Sequence, residues 1–225
     1  MKHNFFFAKE NLFLKKELTN ELLKKFDQMY QKNTELKKNT NILELRKKDI
    51  MKIPLLFSLS NKIKKKFELI TGHSDLSFNK LWLVSTSSND KNKAILPYIP
   101  HIDKHRCLKA MVYLHDVKLE HGPIHIGRAK NTIYIEQKRK ELPRDYAVKG
   151  LNIIDDKDLA SNLNPITGEA GDVIFFDTNT PHLAGTVKNG YCRKVLRFDF
   201  EGPFFNPKLS ILDRLINKLK PPTHT

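Results

Sequence analysis

The sequence predicts a mainly β protein with flanking helices, in which a jelly-roll core spans residues 75–202. Three observations predict it. Short apolar runs recur after residue 75, separated by turn signals such as HGP at 121–123 and GEAG at 168–171, the pattern of an antiparallel sandwich or barrel. Helical periodicity is concentrated before residue 75 and after residue 203, so helices should pack outside the strands rather than alternate with them. The 225 residues are 40% hydrophobic, enough for one sizeable core. The expected organisation is a helical region over 1–74 packing on the core, the core over 75–202, and a C-terminal helix and tail over 203–225, together a single domain.

Each element has a local reason. Residues 19–31, TNELLKKFDQMYQ, carry Leu22, Phe26, Met29 and Tyr30 at helical spacing behind Thr19 or Asn20 as a cap. The lysine- and asparagine-rich stretch 32–52 fits no single period. Pro54 opens a second helix, PLLFSLSNKIKKKFELITG, with Gly72 as its stop. LSFNKLWLVSTSS reads as a strand. RCLKAMVYLHDV alternates, with Leu108, Ala110, Val112 and Leu114 on one face and Lys109, Met111 and Tyr113 on the other. HGPIHIG is a turn and a short strand. Residues 131–162 are polar, with a helix expected in IYIEQKRKEL. GEAGDVIFFD is a turn entering an apolar strand, and CRKVLRFDFEG is another strand. NPKLSILDRLINKL is a terminal helix with Leu209, Leu212, Leu215 and Ile216 on one side.

Composition removes several classes of protein. No run approaches the length of apolar chain that a membrane-spanning helix needs. The apolar FFFA near the start is too short for a leader core. Cys107 and Cys192 are the two cysteines, which gives neither a disulfide framework nor a zinc spacing; the expectation is a cytoplasmic, reduced protein. The formal net charge is +15, and residues 1–70 carry 17 Lys and Arg against 8 Asp and Glu. Such a field can attract nucleic acid or acidic surfaces. Lysines spaced along helices read first as a solvated face, so nucleic acid is not the expected partner.

The chemistry is concentrated in LPYIPHIDKHR, residues 96–106. In an extended segment, residues i and i+2 project from the same face. His101 and Asp103 therefore stand side by side. They make two-thirds of a facial triad of two histidines and one carboxylate, the set that binds Fe(II) and leaves positions open for oxygen and an organic cosubstrate. The third ligand must come from a distant histidine. His182, at the exit of the apolar strand after Gly171-Asp172, is the candidate. Arg193 follows eleven residues later on the next strand. Its fork would pair with the far carboxylate of a dicarboxylate bound to the metal.

Three stretches carry a family resemblance: PHIDKHRCLKAMVYLHDVKLEHGPIHI, GEAGDVIFFDTNTPHLAGTVKNGYCRKVLRF and the upstream PLLFSLSNKIKKKFELITG. His101 and Asp103, the turn with Asp116, Gly122 and Pro123, and then Gly171, Asp172, Phe176, His182, Asn189 and Arg193 form an ordered set. That set resembles the Fe(II)/2-oxoglutarate-dependent dioxygenases, and among them the phytanoyl-CoA dioxygenase-like family, over about residues 50–202. The resemblance implies a double-stranded β-helix of cupin-like jelly-roll type. It implies Fe(II) held by His101, Asp103 and His182, with 2-oxoglutarate as cosubstrate, Arg193 on its far carboxylate, and O2 as oxidant. The implied activity is hydroxylation of a small-molecule substrate, releasing succinate and CO2.

The chain departs from the family at two places. After the Gly-Pro turn the family's Pro-Gly-Ser-His stretch is replaced by GRAKN at 127–131. Two residues after His182, where many members place Ser or Thr against 2-oxoglutarate, stands Ala184. Tyr113, Lys109 and Thr186 are the candidate replacements. His105, Arg197 and Tyr98 are the candidate substrate contacts. A structural ion pair is the stronger expectation for Arg197, and a surface role for His105. Cys192, adjacent to Arg193, should face the opposite side and enter the core. Retention of Asp103 argues against halogenation, for which relatives give up the carboxylate. Positive charge near the mouth would suit an anionic substrate. Two other readings remain at this stage: a non-enzymatic basic jelly-roll binding protein, and a metal-dependent cupin-type isomerase that needs neither Arg193 nor 2-oxoglutarate.

Overall fold

The computed structural model describes residues 7–32, 42–88, 97–103, 106–127 and 162–202. The helices expected over 133–142 and 206–219, the GRAKN departure beyond Gly127, and His105 lie outside these residues. The elements are β1 (Phe7–Glu10), α1 (Lys16–Lys32), β2 (Ile42–Arg46), α2 (Lys47–Ile50), α3 (Pro54–Thr71), β3 (Ser77–Ser87), β4 (Leu108–Tyr113), β5 (Ile124–Ile126), β6 (Asn164–Pro165), β7 (Val173–Asp177), β8 (His182–Ala184) and β9 (Cys192–Glu201), with a 3-10 turn at Leu119–His121. They form a six-stranded sheet in the order β1-β7-β4-β9-β3-β2 and a three-stranded sheet in the order β6-β5-β8. All pairings between named strands are antiparallel. Two facing sheets of this kind, with helices against the outer face of the larger one, make the expected double-stranded β-helix.

The alternation read in β4 decides which face does what. Leu108, Ala110 and Val112 join Val173, Phe175, Leu196, Phe198 and Phe200 in one core cluster, packed against Leu22 and Phe26 of α1 and Leu56, Leu59, Ile63 and Phe67 of α3. Tyr113 lies in a second cluster with Val117, Ile124, Ile126, Ile174, Phe176 and Val195, and Met111 packs against it. That second cluster is the space between the two sheets. Aromatic contacts join helices to sheet: Phe67 meets Phe175 at 5.0 Å and Phe200 at 5.4 Å, both edge to face.

The helix ends show how local signals were used. Pro54 stands at the first turn of α3, and Gly72 ends it at φ 71, its N–H donating to the Glu68 carbonyl. α1 begins three residues before the expected cap. Thr19 is therefore inside the helix, fully buried, with its hydroxyl donating to the Lys15 carbonyl at 3.1 Å. The first 74 residues are not only helical. β1 pairs with β7, and β2 from the ambiguous 32–52 stretch pairs with β3, so both edges of the large sheet come from this region. Asp172 ties β1 and its following turn to the core. It accepts from the Leu12 N–H at 2.8 Å and the Glu169 N–H at 2.9 Å, and pairs with Lys9 at 2.9 Å. Burial opposes its charge, but these donors hold its carboxyl below the usual range.

One close approach positions the small sheet. Gly122 has φ 63, and a side chain there would overlap the Gly185 carbonyl; a side chain on Gly185 would overlap the Pro123 carbonyl. The Gly185 N–H donates to that same carbonyl at 2.9 Å. Two glycines thus let the turn before β5 touch the residue after β8.

Removing the Phe67 ring empties its junction with two aromatic neighbours without touching the inner face. Phe67→Ala is expected to lose about 3–5 kcal/mol of stability, read by denaturant unfolding, while metal affinity per folded molecule stays unchanged.

Candidate metal centre

His101 and His182 reach one another through their backbones. The His101 N–H donates to the His182 carbonyl and the His182 N–H to the His101 carbonyl, both at 3.1 Å. Their rings lie 4.4 Å apart between centroids. His101 Nδ1 contacts the Ile99 carbonyl at 2.8 Å and His182 Nδ1 the Thr180 carbonyl at 2.9 Å. A carbonyl only accepts, so the proton sits on Nδ1 in each ring and Nε2 carries the lone pair. Asp103, two residues from His101, brings Oδ1 to 3.8 Å from His182 Nε2. Ile102 between them is buried to the other side, as the period of an extended segment requires. The three donor atoms lie within 4.8 Å of one another, and this is the one such group among the described residues.

The electrostatics leave these donors ready for a cation. Burial pushes His182 down to about 3, with the His101 ring adding to the effect. Burial also lowers His101. Burial would raise Asp103, but Lys109 and then His182 hold its carboxyl well below the usual carboxylate range. Two neutral imidazoles and one carboxylate at neutral pH are the donor set of a facial triad, so the residues present fit a ferrous ion.

Arg193 lies on β9, buried, directly across from Thr86 of β3, which is equally buried. Tyr113 pairs in register with Val195, two residues from Arg193 on the same face of β9; burial raises its phenol, and the Arg193 charge opposes that shift. Thr86 was missed in the sequence. The parity of Trp82, Val84 and Thr86 along β3 was the signal, but only the β3–β9 register shows that Thr86 stands opposite Arg193.

The other expected contacts are rearranged. The Tyr113 hydroxyl donates to the Ile166 carbonyl at 2.6 Å, so its proton is engaged. The Lys109 ammonium binds Asp103 Oδ2. Lys109 pairs in register with Asp199, six residues along β9 from Arg193, or about 20 Å of strand, too far to share a carboxylate with it. Thr186 is exposed after β8, where a hydroxyl meets water rather than a buried ligand. Arg197 is in the expected ion pair: Nε donates to Asp199 Oδ1 at 3.0 Å and Nη2 to Oδ2 at 3.1 Å, while the guanidinium lies 4.8 Å from the Trp82 ring. Tyr98 is half-buried in the segment leading to His101, one residue after Pro97, whose carbonyl accepts from Ala184. Cys192, the first residue of β9, is exposed rather than in the core, because a strand's end reaches past the packed face that its later residues share.

Arg106 had no role in the sequence reading, and no local pattern marks it. Its Nε donates to both oxygens of Asp177, at 3.1 and 3.0 Å, and Nη2 to Oδ2 at 2.6 Å. Beside it, Cys107 and Thr178 exchange two hydrogen bonds. This clamp holds the turn that carries His182 against the start of β4.

One comparison with known proteins spans the same residues. The family model of phytanoyl-CoA dioxygenase (PhyH) matches residues 91–195, a stretch that includes His101, Asp103, His182 and Arg193. No curated protein matches the sequence. Among solved structures, the epimerase SnoN in complex with Fe3+, alpha ketoglutarate and nogalamycin RO superposes with TM-score 0.62 at 16% identity, covering 98% of this chain and 90% of that one. EvdO2 from Micromonospora carbonacea var. aurantiaca has TM-score 0.61 at 14% identity, covering 88% and 86%. HygX from Streptomyces hygroscopicus, with nickel and 2-oxoglutarate bound, has TM-score 0.59 at 11% identity, covering 89% and 84%. At these identities the likeness establishes the fold, the double-stranded β-helix.

The clamp gives a test. Asp177 is 2% exposed, so Arg106→Ala leaves a buried carboxylate without its fork. A stability loss of about 3–5 kcal/mol is expected, together with weaker metal binding in the remaining folded protein, read by calorimetric titration of the apo-protein with Mn(II).

Proposed function

We propose that this phytanoyl-CoA dioxygenase-like chain is an Fe(II)- and 2-oxoglutarate-dependent oxygenase that hydroxylates an unactivated C–H bond of a small molecule. The observation that carries the reading is the convergence of two imidazole nitrogens and one carboxylate oxygen within 4.8 Å, on the inner side of a double-stranded β-helix. Iron with 2-oxoglutarate and O2 supplies oxidising power that no protein side chain has, leaving succinate and CO2 as coproducts. Iron, nickel and 2-oxoglutarate in the SnoN and HygX structures support the same cofactor pair here.

The chain's part is placement. His101 and His182 present Nε2 in fixed orientation, because the Ile99 and Thr180 carbonyls hold the other ring nitrogen. Asp103 supplies the negative charge. Arg193 receives the far carboxylate of 2-oxoglutarate, with Thr86 across the strand pair and Tyr113 beside it. Burial raises the Tyr113 phenol, so it stays neutral and does not repel that carboxylate. Ile174, Phe176 and Val195 make the surroundings apolar, which keeps water out and strengthens the arginine–carboxylate pair. The cations at the metal end are matched by carboxylates: Lys109 by Asp103, Arg106 by Asp177, Arg197 by Asp199. These described groups therefore give an anionic substrate no special hold.

Anaerobic addition of Fe(II) and 2-oxoglutarate to apo-protein should produce the visible charge-transfer band of the chelate. Asp103→Ala should abolish it. Arg193→Ala should raise the 2-oxoglutarate dissociation constant by about 30-fold or more, the lower end of the 2–5 kcal/mol cost of truncating a buried charge pair. A band unaffected by either change would defeat the reading. With a substrate in hand, the product should contain one oxygen atom from labelled O2; a product isomeric with the substrate would replace hydroxylation by the kind of outcome named for SnoN, an epimerase.

A further inference from the structure

Lys109 has no task in the reaction as described, yet it is 7% exposed and sits on the inner face of β4, between Phe176 of β7 and Asp199 of β9. A buried lysine is costly unless its charge is met. Its ammonium meets Asp103 at Oδ2. Oδ2 is held by Lys109, while Oδ1 turns toward His182 Nε2 at 3.8 Å. Among the contacts described, Oδ1 faces the His182 ring and Oδ2 is held from β4.

We propose that Lys109 is a positioning residue that keeps Asp103 a one-oxygen metal ligand. The inference rests on the metal reading above and adds to it. A carboxylate beside a divalent cation binds through one oxygen or two. Two imidazoles and a two-oxygen carboxylate fill four of six positions. With one oxygen, three positions remain, enough for a chelating keto acid and O2 together. An ammonium has three donors and no acceptor, so it can hold Oδ2 without competing for the metal. A cation next to a metal ligand weakens the hold on the metal by simple repulsion. A lysine retained there gives in return a fixed carboxylate, and the open positions depend on that fixation.

The test loads Mn(II) into the apo-protein and counts exchangeable bound waters by water-proton relaxation. The wild-type protein is expected to show about 3. Lys109→Met frees Oδ2 to bind, and relaxivity per bound Mn(II) should fall by about a third. Lys109→Arg, whose fork can still hold Oδ2, should restore it. Unchanged relaxivity in Lys109→Met would overturn the proposal and leave Lys109 as a counter-ion only. If Lys109→Met does not fold, the infrared carboxylate bands of the wild-type protein on metal binding read the same property: widely split stretches are expected, and a narrow, two-oxygen pair would overturn it. Failure of the wild-type protein to bind Mn(II) at all would remove the metal reading itself, a result distinct from binding with the wrong water count.

Discussion

The paired backbone hydrogen bonds between His101 and His182, 3.1 Å in each direction, are the constraint on which the site depends. Each contributes on the order of 1 kcal/mol, and their value is geometric. They bring together two segments from opposite ends of the core sequence and fix the rings 4.4 Å apart. β8 is three residues long and could not hold this position alone. The Ala184 N–H bonds to the Pro97 carbonyl, the Gly185 N–H to Pro123, and the Arg106–Asp177 clamp holds the turn before it. Peptide groups thus hold the donor set together.

The two faces of the large sheet divide the remaining work. The outer face is apolar and carries the helices, and ring contacts such as Phe67 with Phe175 join the two layers. The inner face carries ionisable groups that would be ruinous in such a core if unmatched. They are arranged as pairs: Lys109 with Asp103, Arg197 with Asp199, and, at the rim, Arg106 with Asp177. Among the described residues these pairs leave the metal end of a chain of net charge +15 with three matched cations. Local balance matters because a surplus of positive charge there would oppose binding of a metal ion.

Features with a short-range cause were legible in the sequence. The His-x-Asp spacing puts two donors on one side because the strand repeat is two residues. The alternation in β4 separates the outer from the inner face for the same reason, and Pro54 and Gly72 bound α3 because each suits only one end of a helix. His182, which the fold brings to His101 and Asp103, and the proposed carboxylate contact Arg193 were both named through the resemblance of the whole ordered set. β1 and β2 were not, since edge strands of four and five residues carry too little pattern to stand out in lysine-rich surroundings.

What the sequence by itself determined is therefore which residues are the candidate donors, the face each occupies, and the class of fold that could bring them together. The tertiary structure alone decided who partners whom. Lys109 holds Asp103 rather than a cosubstrate, Thr86 lies across from Arg193, Arg106 closes on Asp177, and Cys192 stands in solvent. Periodicity assigns a residue to a face, but strand register and sheet order assign its neighbour, and those depend on contacts between segments far apart in the chain.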